Sequence, residues 1–317
     1  MNNKNMKAVQ INSYGGSEVF KVVDVAIPSP GKDQITVGVR AVSINPFDVK
    51  LISGKYKDMI PLQFPVTPGG DFSGVVERFG GEVEGYRVGD EVYGTANVLY
   101  GGSGSFAEFA TANTANIAHK PKSASFEEAA ALVLVGVSAL QALEEHIKLQ
   151  SKQKILIHGG AGGIGHLAIQ LAKALGAYVA TTVSTDEVDF VKKLGADEVI
   201  DYKKEKFEDL LNDYDVVFDM VGGEVRDKSF RILKKGGILV SMLGQPSEEL
   251  SQKYGVVAIG QNTKVTSERL NRLAEYVDSG KIKVNIDRMF LLDQIKEAFN
   301  YFKEGRYKGK VVLRVKD

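Results

Sequence analysis

The run KILIHGGAGGIGHLAIQLAKALGA, residues 154–177, leaves the chain little choice of local fold. A short apolar strand, Ile155 to Ile157, enters a glycine turn, and the turn opens into an amphipathic helix, HLAIQLAKAL. Gly160, Gly162 and Gly165 meet the spacing G-x-G-x-x-G, with Gly163 and Ile164 inside the turn. The first glycine permits a tight turn, the second lets a pyrophosphate approach the backbone, and the third lets helix and strand pack closely. Amides at the helix N-terminus then meet the phosphate charge. The spacing alone is weak; here a strand precedes it, a helix follows, and a second strand, YVATTV, stands at the expected distance. The pattern predicts a dinucleotide-binding unit.

In NAD-binding versions of this unit an acidic residue ends the second strand and holds the ribose 2′-hydroxyl. This chain has Thr182, Val183 and Ser184 there. Neutral Thr182 and Ser184 leave room for a 2′-phosphate, so the expected cofactor is NADPH. Lys203, Lys204 or Tyr202, after the strand EVIDY, can approach that phosphate; alternatively the lysines are only solvated surface.

Around this unit the chain changes character twice. The first third reads as short β segments, KAVQI, QITVGVRAVSI, FSGVVERFG and DEVYG, broken by Gly, Pro and Asp. From about Ser123, apolar strands (ILIHG, YVATTV, EVIDY, VVFDMV, GILVSML) alternate with helical stretches, which predicts a parallel sheet flanked by helices. After about Gly260 come two amphipathic helices, ERLNRLAEYVDSG and LDQIKEAFNYFKEG, and a last strand, KVVLRV. A length of 317 residues calls for two domains.

Composition removes several classes of function. With 40 Lys plus Arg against 40 Asp plus Glu, no global field gathers nucleic acid or an anionic membrane. There is no cysteine, hence no disulfide, thiol nucleophile or thiolate metal site. His119, His146, His158 and His166 are scattered singly and are expected to be structural or superficial. The start MNNKNMKAVQINSYGG has no signal-peptide core, and the greasiest run, Ala129 to Leu140, falls short of the roughly 20 residues that span a bilayer. A cytoplasmic protein is expected.

AVSINPFDVKLISGKY, PVTPGGDFSGVVERFG, VGDEVYG, GSFAEFA, VGVSALQAL, the glycine turn, LGADEVIDY, DYDVVFDMVGG, KKGGILVSMLG and KGKVVLRV together resemble the medium-chain dehydrogenase/reductase superfamily, in its zinc-free NADPH quinone oxidoreductase and enone reductase branch. The motifs cover nearly the whole chain in the family's order. The resemblance implies an α/β protein with a GroES-like, mostly-β catalytic domain, residues 1–122 and 261–317, and a Rossmann domain with a doubly wound parallel sheet, residues 123–260. Where zinc-dependent relatives hold metal, the matching positions are Asn45, Gly70 and Leu134, so no metal is expected. The acidic residue after Pro-Gly-x, usually Glu in the family, is Asp71.

The resemblance also assigns roles. It implies that Asn45 holds the nicotinamide ring and the substrate oxygen and that Phe47 and Asp48 line the substrate site. Ser138 falls near the nicotinamide, Gly222 and Gly244 line the cofactor cleft, and Lys310 stands near the phosphates or ribose. Tyr56 is a candidate donor to an enolate, or a surface residue at a loop tip. Hydride transfer to an acceptor activated by conjugation needs orientation, exclusion of water and something to receive charge on oxygen, and no activated nucleophile. The expected substrate is therefore a small quinone or enone. Two other readings remain: a zinc-free alcohol/ketone dehydrogenase, or a non-catalytic NADPH-binding structural or RNA-binding protein. A homodimer is expected through YGVVAIG, Tyr254 to Gly260, as an apolar edge strand.

Overall fold

The computed structural model describes residues 5–81 and 83–316; Met1–Lys4, Glu82 and Asp317, which fall in the expected ranges of the GroES-like domain, lie outside the described residues. Two compact units result. The first takes the chain up to Leu134, Val265–Asp278 and everything from Ile286 on; the second takes Val135–Lys264 and Ser279–Asn285. These crossovers differ from the expected 122/123 and 260/261. The first comes later because helix Phe126–Leu140 begins in the first unit, where Ser73 Oγ donates to Phe126 O at 2.5 Å and Glu127 pairs with Arg314 at 2.8 Å. The tail returns 279–285 to the second unit because Lys283 and Gln170 exchange two hydrogen bonds of 2.9 Å. The helix of the apolar run continues through a π-helical turn, Gln141–His146, to 21 residues. That is long and apolar enough to cross a membrane, yet 78% of its most apolar window is buried, as in a core helix.

In the first unit a seven-stranded sheet places Lys310–Arg314 antiparallel on one side of Gln34–Ser43 and Asp71–Phe79 antiparallel on the other. The register pairs Val312 with Ser43 and Val42 with Phe72. Lys310 and Asp71 therefore flank the point where the central strand ends at Ser43 and leads into Asn45. Helix Ile295–Glu304 covers the core with Ile295, Ala298, Phe299 and Phe302, the i, i+3, i+4, i+7 stripe of an amphipathic helix, and stops at Gly305, φ 69°. Phe299 meets Phe20 edge-on at 4.5 Å between ring centroids. Burying such a ring stabilises by about 1.5–3 kcal/mol.

The second unit holds six parallel strands in the order Glu198–Asp201, Tyr178–Val183, Lys154–His158, Tyr214–Asp219, Leu233–Ser241, Val257–Gly260. Counted along the chain this is 3-2-1-4-5-6, the doubly wound order whose reversal lies beside the first strand. The glycine turn leaves the carboxyl end of that strand, next to the reversal. Val257–Gly260 stands at the sheet edge.

Candidate active site

Asn45 sits where strand Gln34–Ser43 gives way to helix Pro46–Ile52, with proline at the first helical position, where no amide donor is needed. Asp48 accepts the Asn45 backbone N–H at 2.8 Å and so caps this short helix. The Asn45 amide is committed at both ends: Nδ2 donates to Asp71 Oδ2 at 2.8 Å, and Oδ1 accepts from Lys310 Nζ at 2.6 Å. Lys310 Nζ also donates to Ile44 O at 2.8 Å. Asp71 Oδ2 collects two further donors, Ser43 Oγ at 3.1 Å and Leu134 N at 3.2 Å. Asn45, Asp48, Asp71 and Lys310 are all buried.

Burial dominates the electrostatics. It pushes the Asp48 carboxyl up to about 7, with Asp71 adding repulsion, and it raises Asp71 as well, against the pull of Lys310. Burial lowers the Lys310 ammonium to about 8, opposed by both carboxylates. The cluster is a desolvated network in which each charge depends on its neighbours.

These contacts change two expected roles. Asp48, expected to touch substrate, spends its carboxylate on the helix start. Lys310, expected at the phosphates or ribose, is 2% exposed and directs its amine at Asn45, because strand pairing draws the last strand alongside residue 43. Phe47 and Tyr56 are half-buried and meet each other, ring centroids 5.9 Å apart and tilted 30°. The Tyr56 hydroxyl has no hydrogen-bond partner among the described residues.

In the second unit the glycine turn fits a dinucleotide. A Cβ on Gly160 would lie 2.0 Å from Thr181 Oγ1, and one on Gly165 would lie 2.2 Å from Gly159 O, so internal packing demands glycine at both. On Gly162 a Cβ would meet nothing closer than Gly159 O at 3.4 Å, an ordinary contact. Apart from that contact the space beside Gly162 is open. The amides of Gly163 and Ile164 donate to no backbone carbonyl among the described residues, which leaves two donors at the start of helix Gly165–Ala174. His166 braces the turn, its Nδ1 3.0 Å from Gly162 O while Nε2 accepts from Asn285 N.

Thr182, expected to leave room for a 2′-phosphate, commits its hydroxyl within the protein. Its buried hydroxyl lies 2.9 Å from His158 Nδ1, and His158 Nε2 lies 2.9 Å from Ser229 Oγ. Ser229 Oγ donates onward to Val225 O, so it accepts from His158 Nε2–H, and Nδ1 accepts from Thr182. Burial drives His158 down to about 4, against the pull of Asp219 and Glu208. The folded state therefore binds fewer protons than the unfolded chain, whose histidine titrates near about 6.5. This contribution is complete above about 6.5 and lost as pH falls towards about 4, a total of roughly 3 kcal/mol. Asp48, raised to about 7, works in the opposite sense over a similar range, so the effect must be read as a difference. Denaturant titrations of wild type and His158→Gln should show wild type losing roughly 3 kcal/mol relative to the variant between about pH 7 and 4; a pH-independent difference would contradict the neutral buried imidazole.

Ser184 N and Oγ both donate to Glu187 Oε2, at 2.8 and 2.6 Å, so a carboxylate stands against the expected neutral hydroxyl. The spacing S-x-x-E, a capping-box signature, was the sequence signal for this pair. Lys204 pairs with Asp201 at 3.1 Å, whereas Lys203 and Tyr202 are exposed. Ser138 Oγ lies 2.7 Å from Thr263 Oγ1. Gly222, φ 76°, donates to Asp219 Oδ1 at 2.9 Å, and Gly244, φ 91°, is exposed with open space around it. Both glycines follow carboxyl ends of sheet strands, where ligands bind in open α/β sheets.

Comparison with known proteins agrees with this architecture. Residues 31–122 match the alcohol dehydrogenase GroES-like domain, and residues 194–313 match the zinc-binding dehydrogenase domain. The 2-methylene-furan-3-one reductase of Solanum lycopersicum is 41% identical over 97% of this chain and 79% of its own length. The chain belongs to the medium-chain dehydrogenase/reductase superfamily, in its quinone oxidoreductase and enone reductase branch. A second member of this superfamily, the chloroplastic NADPH-dependent alkenal/one oxidoreductase of Arabidopsis thaliana, is 37% identical over 98% of this chain and 80% of its own. The quinone oxidoreductase of Coxiella burnetii superposes with a TM-score of 0.88 at 35% identity, covering 99% of this chain and all of that one. Although the matching superfamily domain is described as zinc-binding, no group of three or more His, Cys, Asp or Glu side chains among the described residues could hold a metal.

Proposed function

We propose that this chain is an NADPH-dependent reductase that transfers hydride to quinones or α,β-unsaturated carbonyls without a metal. The observation that carries the reading is the Asn45 amide, held between Asp71 and Lys310 on a segment that zinc-dependent relatives use for a metal ligand. Bound NADPH supplies the hydride. The glycine turn and the amides of Gly163 and Ile164 hold the pyrophosphate, and the names of the tomato and Arabidopsis relatives support both acceptor class and reductant. Asn45 Nδ2 has a second hydrogen besides the one given to Asp71, and although the Asp48 carboxyl also stands beside this amide, that hydrogen donates to the acceptor oxygen as charge collects there. Phe47 gives that site an apolar wall, and the uncommitted Tyr56 hydroxyl delivers a proton to the enolate. NADPH is preferred over NADH because neither Thr182 nor Ser184 adds a carboxylate and exposed Lys203 supplies a cation to set against the charge that Glu187 keeps while accepting from Ser184.

One assay tests this. NADPH oxidation should be fast with a quinone and with a 2-alkenal, slow with a saturated ketone, slower with NADH, and unchanged after dialysis against a strong chelator. Tyr56→Phe should slow 2-alkenal reduction about tenfold to a thousandfold and barely touch quinone reduction, because a hydroquinone oxygen takes its proton from water. Equal rates with ketone and alkenal, or loss of activity on chelation, would overturn the reading; an unaffected Tyr56→Phe would move protonation to solvent.

The enzyme is proposed to work as a homodimer, paired through strand Val257–Gly260. This strand ends its sheet with Val257 53% exposed, and an apolar strand edge left open invites aggregation. Light scattering at micromolar concentration should give twice the 34.4 kDa chain mass; a monomer would refute it.

A further inference from the structure

Resting on the reading of Asn45 above, we propose that Lys310 is a positioning residue of the hydride-transfer site, whose ammonium fixes and polarises the Asn45 amide as a hydrogen-bond donor. Lysine is almost never fully buried unless paired. Lys310 is 2% exposed and makes its bonds to Asn45 Oδ1 and Ile44 O, so it has no reach to a surface phosphate in this arrangement. With the ammonium on Oδ1 and the Asp71 carboxylate on Nδ2, a flipped amide would set donor against donor and acceptor against acceptor, so only one orientation is allowed. Drawing electron density towards Oδ1 strengthens both Nδ2–H groups, in the way that hydrogen bonds in series reinforce one another. One of them is spent on Asp71. The other, which has the Asp48 carboxyl near it in the free protein, becomes a stiff, polarised donor for the acceptor oxygen, an answer within the protein to the demand that zinc-dependent relatives meet with a cation.

Stability alone does not call for this arrangement. Replacing a buried charge network with apolar residues of similar volume is often neutral or stabilising, and the neighbouring strand positions are already filled by Val311, Val312 and Leu313. A buried amine joining residues 265 apart is better explained by the precision it gives the amide.

The experiment is a double-mutant cycle of Lys310→Met and Asn45→Ala, measuring kcat with NADPH and a 2-alkenal, the NADPH dissociation constant by fluorescence, and the melting temperature. Lys310→Met should lower kcat about tenfold to a hundredfold, leave NADPH affinity within about threefold, and cost less than about threefold more in the Asn45→Ala background. A role confined to structure would move the melting temperature and not kcat. NADPH affinity weakened more than about tenfold with kcat intact would instead assign Lys310 to the cofactor, and full additivity would overturn the link to Asn45. Should Lys310→Met fail to fold because Asp71 and Asp48 are left uncompensated, the charge-balanced Lys310→Met/Asp71→Asn, compared with Asp71→Asn alone, is read in the same way. An Asn45→Ala enzyme with wild-type turnover sinks the reading beneath the inference. A crippled Asn45→Ala beside an unimpaired Lys310→Met sinks the inference alone.

Discussion

Asn45→Ala is expected to lower turnover with quinone and 2-alkenal alike by about a hundredfold to a thousandfold, the loss that follows removal of one oxyanion donor. Both acceptors suffer because both place charge on an oxygen as the hydride arrives, whereas only the enolate is proposed to draw on Tyr56. The protein should still fold. Removing the amide takes one partner from Lys310 and one from Asp71, a cost of about 1–3 kcal/mol for each buried group left short of a hydrogen bond. Lys310 keeps Ile44 O, Asp71 keeps Ser43 and Leu134, and the two opposite charges attract across the gap. Steady-state kinetics beside a melting curve separates the effects. A folded Asn45→Ala enzyme within about threefold of wild type would remove Asn45 from the chemistry.

At the glycine turn, two substitutions of the same size should behave oppositely. Gly165→Ala puts a methyl 2.2 Å from Gly159 O and 2.7 Å from Gly160 Cα, backbone atoms that cannot rotate away. The helix must lift off the strand, costing about 1–3 kcal/mol or more as overpacking and moving the Gly163 and Ile164 amides with it. Gly162→Ala meets only the ordinary 3.4 Å contact, so the free protein should melt within about 0.5 kcal/mol of wild type. Its methyl nonetheless occupies the space proposed for the pyrophosphate, so NADPH binding should weaken about a hundredfold or more, as a displaced phosphate would lose its charge-assisted bonds to two amides. Titration by fluorescence checks both. If Gly162→Ala binds NADPH as wild type does, the pyrophosphate does not sit at this turn.

Local patterns carried much of the architecture. The strand, glycine turn and helix from Lys154 to Ala174 were legible because each piece is specified by neighbours within a few residues: apolar alternation, positions too crowded for a Cβ, and a buried stripe of Leu167, Ala168, Ile169, Leu171 and Ala172. The same holds for helix Ile295–Glu304 with its four-residue stripe and glycine stop. The domain crossover at Leu134 was less legible, since nothing in the apolar run Ala129–Leu140 says which part of one continuous helix packs against which core.

Side-chain roles divide along the same line. Sequence singled out Asn45, Tyr56, Phe47 and the glycines, and it offered Ser184 as a neutral group; the Glu187 that occupies it was readable three residues on, from the S-x-x-E spacing. Lys310 was found without its bond to the Asn45 amide, and the Thr182–His158–Ser229 chain went unseen. What the sequence determined by itself was the class of fold, the strand, glycine turn and helix of the second unit, and the want of any thiol. What only the tertiary structure decided was the setting of Asn45. Its two anchors arrive on neighbouring strands from residues 71 and 310, and the pairing register that aligns them is fixed by hydrogen bonds and packing between segments far apart in the chain, which no local pattern encodes.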